Sequence, residues 1–116
     1  MSDCVFCRIA AGSIPATIVA RSGDAVAFRD LNPQAPTHVL VIPTQHVSSA
    51  GGAAAAPDGD RLLGALVRFA VQTAKELGLE ERGYRLVINT GPDGGQTVLH
   101  LHLHILGGRR MTWPPG

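Results

Sequence analysis

The chain has 116 residues, 45% of them hydrophobic and 16% charged, with a formal net charge of +1. That length and apolar content fit a single domain, residues 1–116, with enough chain to bury a real core. The charge forms no basic stripe, since Arg82, Arg85, Arg109 and Arg110 are scattered pairs; nucleic acid is not suggested as a partner, and no apolar run approaches the roughly 20 residues of a membrane span. The opening run Met1-Ser-Asp-Cys-Val-Phe-Cys-Arg8 lacks a basic region followed by a long apolar one, so the expected location is the cytoplasm.

From Asp3 to Ala11 the apolar residues Val5, Phe6, Ile9 and Ala10 fall at helical spacing and stop at Gly12, which predicts a short helix carrying both cysteines. Ile18–Arg21 and Ala25–Phe28 read as strands joined by a Ser-Gly-Asp turn. Residues 30–36 hold Pro33 and Pro36 and form an ordered loop, followed by an apolar strand His38–Ile42 ended by Pro43. Residues 48–59 are small and flexible in composition, either loop or a helical lead-in. The stripe Leu62, Leu63, Leu66, Val67, Ala70, Ala74 and Leu77 predicts the main helix over 60–79, with Asp58 or Asp60 available as cap and Gly78 near its end. Tyr84–Asn89 and Thr97–Leu106 are expected as an antiparallel pair across the turn 90–95, and residues 107–116 as a tail bearing the chain's single tryptophan, Trp113. The order of helix, strands, helix and strands argues for an α+β fold with an antiparallel sheet.

The chemistry concentrates in Val98-Leu-His-Leu-His-Leu-His-Ile-Leu106. In a strand, alternate side chains share a face, so His100, His102 and His104 would stack with roughly 6.6 Å between successive imidazoles. Imidazole titrates near neutral pH and serves as nucleophile, proton carrier or metal ligand. Asn89, Gly91, Gly94, Gly95, Gln96 and Thr97 just before the run offer close backbone approach, amides and a hydroxyl, chemistry suited to an anion. The only two cysteines form Cys4-Val-Phe-Cys7, a spacing that serves a metal half-site or a redox pair in a reducing compartment.

These residues resemble the histidine triad (HIT) family, through His100-x-His102-x-His104, Phe28-Arg-Asp-Leu-Asn-Pro-Gln-Ala-Pro-Thr-His38, Val39 to His46, Asn89 to Gly108 and the ending Trp113-Pro-Pro-Gly116. The resemblance is to the branch of histidine triad nucleotide-binding proteins, the purine nucleoside phosphoramidases, in its bacterial zinc-containing type. It implies a HIT-like fold, a five-stranded antiparallel sheet with one long and one short helix, extended across a homodimer. It implies His102 as nucleophile on the α-phosphorus of a nucleoside phosphoramidate, with His104 and His38 as triad partners. Gly95, Gln96, Thr97 and Asn89 would contact phosphate and Asp30 the ribose. Val5, Phe6, Ile9, Phe28 and Leu31 would wall the purine, although each of these five also reads as ordinary core. Cys4, Cys7, His46 and His100 resemble a tetrahedral structural zinc site, a set that accounts for the remaining histidines and both cysteines. Thr97 departs from the serine many relatives carry, keeping the hydroxyl and adding a methyl.

Two other functions stay open at this level. The run Gln96-Thr-Val-Leu-His100 also resembles the sister branch of dinucleoside polyphosphate hydrolases, against which the Trp-Pro-Pro-Gly ending speaks. A nucleotide-binding regulatory module without physiological turnover is the non-enzymatic alternative.

Overall fold

The computed structural model describes residues 3–116; Met1 and Ser2, at the head of the segment read for a leader, lie outside it. Five strands, β1 (Ile18–Arg21), β2 (Ala25–Arg29), β3 (Thr37–Pro43), β4 (Tyr84–Val87) and β5 (Leu103–Gly107), form one antiparallel sheet in the order β1-β2-β3-β5-β4. The architecture is the expected α+β.

Alternation along β3 splits its side chains between two cores. Val39 and Val41 point to the face covered by α3 (Gly59–Glu76), where Leu62, Leu66, Ala70 and Ala74 meet Leu101, Leu103 and Ile105. Leu40 and Ile42 point to the other face, where Phe6 and Ile9 of α1 (Val5–Ala11) pack with Val26 and Phe28. The stripe read for α3 is therefore the core face, except that Val67 remains 39% exposed. Asp58 occupies the N-cap position of α3 without a capping bond, because its carboxylate pairs with Arg61 at 2.9 Å.

One open alternative is decided and three expectations are corrected. Residues 48–59 contain a helix, α2 (Ala50–Ala55), capped by the Ser49 side chain accepting from the Gly52 N–H. It approaches α3 so closely that a Cβ at Gly59 would collide with the Ala53 carbonyl oxygen. The turn 90–95 closes as a helical turn, α4 (Gly91–Gly94), ended by Gly95 at φ +86°, so the helices number more than one long and one short. The strand after Tyr84 ends at Val87. The histidine strand begins only at Leu103, because residues 97–102 leave the ladder: the Leu101 N–H donates to the Val47 carbonyl at 2.7 Å instead. No helix among the described residues is long and apolar enough to cross a membrane.

Candidate active site and metal centre

The irregular segment before β5 aims the three histidines differently. His100 is fully buried, and its Nε2–H donates to the Pro43 carbonyl at 3.0 Å. A carbonyl can only accept, so the proton sits on Nε2 and the Nδ1 lone pair faces the other way. There it lies 3.3 Å from Cys4 Sγ, 3.5 Å from Cys7 Sγ and 3.2 Å from His46 Nδ1, with His46 Nδ1 also 3.3 Å from Cys7 Sγ. One ligand atom from each of the four lies within 4.8 Å of the rest. Zinc–sulfur bonds of about 2.3 Å and zinc–nitrogen bonds of about 2.05 Å at tetrahedral angles give nitrogen–nitrogen and nitrogen–sulfur separations of roughly 3.3–3.6 Å, so these donors sit near the corners of a zinc tetrahedron. Burial holds His100 below its ordinary pKa, the Pro43 bond opposing and neighbouring His46 and His102 adding to it. A neutral imidazole is the ligand form. Cys4 also caps α1, its Sγ accepting from the Cys7 N–H at 3.4 Å.

His102 turns its Nδ1–H to the His100 carbonyl at 2.7 Å, which leaves the lone pair on Nε2. The ring lies 5.2 Å from that of His104, less than the roughly 6.6 Å two-residue repeat of a strand, and edge-on to Phe6 at 5.2 Å.

His104 and His38 form a third arrangement. The Gln34 N–H donates to His38 Nδ1 at 3.0 Å, so the His38 proton sits on Nε2 and is donated to His104 Nδ1 at 2.9 Å. His104 must then carry its proton on Nε2, and that atom is buried with no partner among the described residues. An orphaned buried donor costs about 1–3 kcal/mol, a cost a ligand oxygen would relieve. Burial, with His102 and His38 adding and Asp30 opposing, pushes the His104 pKa down to about 4; burial lowers His38 as well, against the raising effect of Asp30. Asp30 Oδ2 lies 3.4 Å from His38 Nε2, and its Oδ1 accepts from the Asn32 N–H at 2.7 Å. Asp30, His38 and His104 are close enough to hold a metal, but the proton that Gln34 assigns to His38 Nε2 occupies the position a metal would need.

A cavity of about 230 Å³ opens beside these groups, walled by Val5, Phe6 and Ile9 of α1 together with Phe28, Asp30, Leu31 and Leu40. Phe6 and Phe28 are buried and Leu31 is 98% exposed at the rim. A larger cavity of about 420 Å³ lies on the opposite side against α3, lined by residues such as Arg61, Leu62, Arg68 and Phe69 and by no histidine or cysteine.

The glycine-rich segment is partly spent on itself. The Gln96 amide donates to the Ser48 and Val98 carbonyls at 2.7 and 3.0 Å and accepts from the Gly91 N–H, while the Gly95 and Gln96 N–H groups bond to Pro92 and Gly91 carbonyls. The Gln96 side chain thus braces the loop, its amide hydrogens given to main-chain carbonyls. Thr97 is exposed and makes no hydrogen bond among the described residues, and Asn89 Nδ2 lies 3.9 Å from where a Cβ on Gly95 would be. The backbone partners Gln34, Pro43 and Val47 escaped sequence reading, since a main-chain donor or acceptor has no side-chain signature.

The HIT domain profile matches residues 11–111. The chain belongs to the HIT family. It is 49% identical over 115 residues to a maize (Zea mays) protein called 14 kDa zinc-binding protein, covering 99% of this chain and 89% of the relative. Among solved structures, a HIT family hydrolase from Legionella pneumophila superposes with a TM-score of 0.93 at 50% identity, covering 98% of this chain and all of that one. A histidine triad protein from Clostridium difficile superposes at 0.91 with 40% identity, covering 97% and 96%. The five-stranded α+β architecture is that of HIT structures.

Proposed function

We propose that this HIT protein hydrolyses nucleoside 5′-phosphoramidates, AMP or GMP joined to an amine, through a nucleotidyl intermediate on His102. The observation that carries the reading is the pair of fixed tautomers: a lone pair on His102 Nε2 beside an unpartnered N–H on His104 Nε2. In the first step Nε2 of His102 attacks the α-phosphorus; a nitrogen–phosphorus bond forms as the bond to the leaving amine breaks, and the amine departs with a proton taken from solvent. His104, held neutral, is suited to donating a hydrogen bond to a phosphoryl oxygen and not to losing its proton. Water then attacks phosphorus and releases a proton to solvent, the bond to His102 breaks with its electron pair returning to Nε2, and the nucleotide leaves. Splitting one displacement into two is the gain of covalent catalysis.

The substrate's other contacts follow from position. The purine fills the cavity between Phe6, Phe28 and Leu31, Asp30 takes the ribose hydroxyls, and Thr97, Gly95 and Asn89 face the phosphate. Cys4, Cys7, His46 and His100 hold a structural zinc, a reading supported by the ligand separations and by the zinc-binding name of the maize relative. The protein acts in the cytoplasm as a homodimer of single-domain subunits, its sheet extended across the pair and the 107–116 tail directed toward the partner. Trp113, 81% exposed in the single chain, supports a partner for the tail.

The test is turnover of adenosine 5′-phosphoramidate beside a diadenosine polyphosphate, by the parent and by His102→Ala. A preference for the phosphoramidate, with a loss on the order of 10⁴-fold in the variant, is expected. Preference for the polyphosphate assigns the protein to dinucleoside polyphosphate hydrolysis. Nucleotide binding without turnover in the parent makes it a binding module.

A further inference from the structure

We infer that the metal centre controls the site: zinc on His100 sets the orientation of the nucleophile His102 and closes the base cavity, so metal occupancy governs nucleotide binding and attack. The inference rests on the function proposed above, and deepens it by making His100 a positioning residue.

The decisive element is a single peptide group. The carbonyl of His100 accepts the His102 Nδ1–H at 2.7 Å, and the N–H of Leu101, in the same peptide plane, donates to the Val47 carbonyl at 2.7 Å. On one side that plane is attached to His100, whose Nδ1 belongs to the metal set. On the other it is bonded to Val47, the neighbour of His46, another member of that set. The plane that selects the His102 tautomer therefore lies between two metal ligands. This segment has left the sheet ladder, so strand pairing does not hold it.

A second route runs through α1. This helix has seven residues, of which only Phe6 and Ile9 are buried, and a helix so short is not stable by itself. Cys4 at its N-cap and Cys7 in its first turn tie its start to the ligand set. Between them Phe6 meets His100 edge-on at 5.9 Å and His102 at 5.2 Å, while Val5, Phe6 and Ile9 wall the base cavity. Without the metal, the residues that contact the base and the nucleophile would be carried on a short helix held by the buried Phe6 and Ile9, the packing of Ala10 and the Arg21 bond to the Ala10 carbonyl, of which only Phe6 lies in its first turn.

The experiment uses the full chain, zinc-loaded and chelator-stripped, with two readouts besides activity: the His102 ring tautomer by ¹⁵N NMR, and AMP affinity by calorimetry. In the loaded protein His102 shows a single neutral tautomer protonated at Nδ1; in the stripped protein both tautomers are expected, with AMP bound at least tenfold more weakly. An unchanged tautomer and affinity in a stripped protein that circular dichroism shows folded would overturn the inference. Should stripping unfold the chain, zinc-loaded variants decide the matter. His100→Ala keeps three ligands on the metal but frees the peptide and should mix the tautomers; His100→Cys restores a fourth ligand and should recover the parent tautomer. Parent-like tautomers in both variants would sink the coupling. A loaded parent that neither binds AMP nor cleaves the phosphoramidate refutes the proposed function instead, since the tautomer comparison needs no substrate.

Discussion

Two clusters of imidazoles sit within one small domain and are put to opposite uses by single backbone groups. At His100 a carbonyl, that of Pro43, takes the proton on Nε2 and turns a lone pair toward two thiols and a second imidazole. At His38 an N–H, that of Gln34, takes the lone pair on Nδ1 and turns a proton toward His104. Converging lone pairs make a metal site; a lone pair met by a proton makes a hydrogen-bond relay that ends on the His104 Nε2–H, which has no partner among the described residues. The difference lies in whether the fixing group is a donor or an acceptor, since the side chains are of the same type.

The largest effect should come from emptying the lone-pair cluster. Four ligands tie α1 to the loop after β3 and to the segment before β5, and structural zinc of this kind contributes folding free energy outright. Chelation, or Cys4→Ser with Cys7→Ser, should lower stability by at least about 3 kcal/mol, about 10 °C in melting temperature for a domain of this size. Thermal melts with and without added zinc test this. Coincident melts would mean the cluster binds no structural metal.

The relay can be broken next, by converting its logic to that of the metal site. Gln34→Pro deletes the N–H that holds the His38 lone pair, allowing the His38 proton to move to Nδ1 and Nε2 to become a ligand beside Asp30 and His104. The parent should take up one equivalent of zinc in a calorimetric titration, and the variant a second, weaker one. Turnover should fall about tenfold in metal-limited buffer, in line with the smaller effects of mispositioned polar groups. A second equivalent in the parent would show that the assigned proton does not exclude metal.

A third effect follows from the depressed pKa values. His104 binds its proton at about 4 in the native state against an ordinary value of 6.5, and His38 is lowered too. Between those limits the unfolded chain takes up protons that the native chain refuses. Stability therefore falls as pH drops from 6.5 toward 4, and the contribution is fully present above that window. His104→Asn, which can still accept the His38 Nε2–H, should show a shallower decline across the window than the parent. Urea denaturation at stepped pH tests it, and parallel curves would contradict the burial of a neutral His104.

The fold was legible where side-chain periodicity carried it. The α3 stripe, the two strands around Ser22-Gly-Asp24 and the apolar β3 all announce themselves by spacing, and the structure returns them within a few residues. The alternating Leu-His run misled for the same reason: its period of two is that of a strand, yet residues 97–102 take their partners elsewhere, Leu101 from Val47 and His102 from the chain itself. The metal ligands were legible as residue types but not as a cluster by spacing alone; their grouping came from family resemblance and is matched by the geometry. Invisible throughout were main-chain atoms: the Gln34 N–H and the Pro43 carbonyl that fix His38 and His100, the His100 carbonyl that fixes His102, and the Val47 carbonyl that holds the peptide between them. Gln96 shows the converse, a conspicuous polar side chain that the loop consumes.

The smallest predicted effect, that of Leu31→Ala, separates the rim of the cavity from its wall. Phe6 and Leu31 both line it, but Phe6 is 7% exposed and in contact with Phe28, while Leu31 is 98% exposed. Phe6→Ala should cost about 3–5 kcal/mol of stability through a core cavity, obscuring any effect on binding. Leu31→Ala removes almost nothing from the folded chain, so stability should change by less than about 0.5 kcal/mol. If a purine lies against Leu31, the same change strips apolar contact from the complex, and AMP affinity should fall several-fold, about 1 kcal/mol for part of a leucine side chain. Unchanged melting with weakened AMP binding places the base at this rim. Unchanged binding would instead leave Leu31 a solvent-exposed loop residue and put the purine deeper, between Phe6 and Phe28, on the side of the cavity that the metal-bound helix supplies.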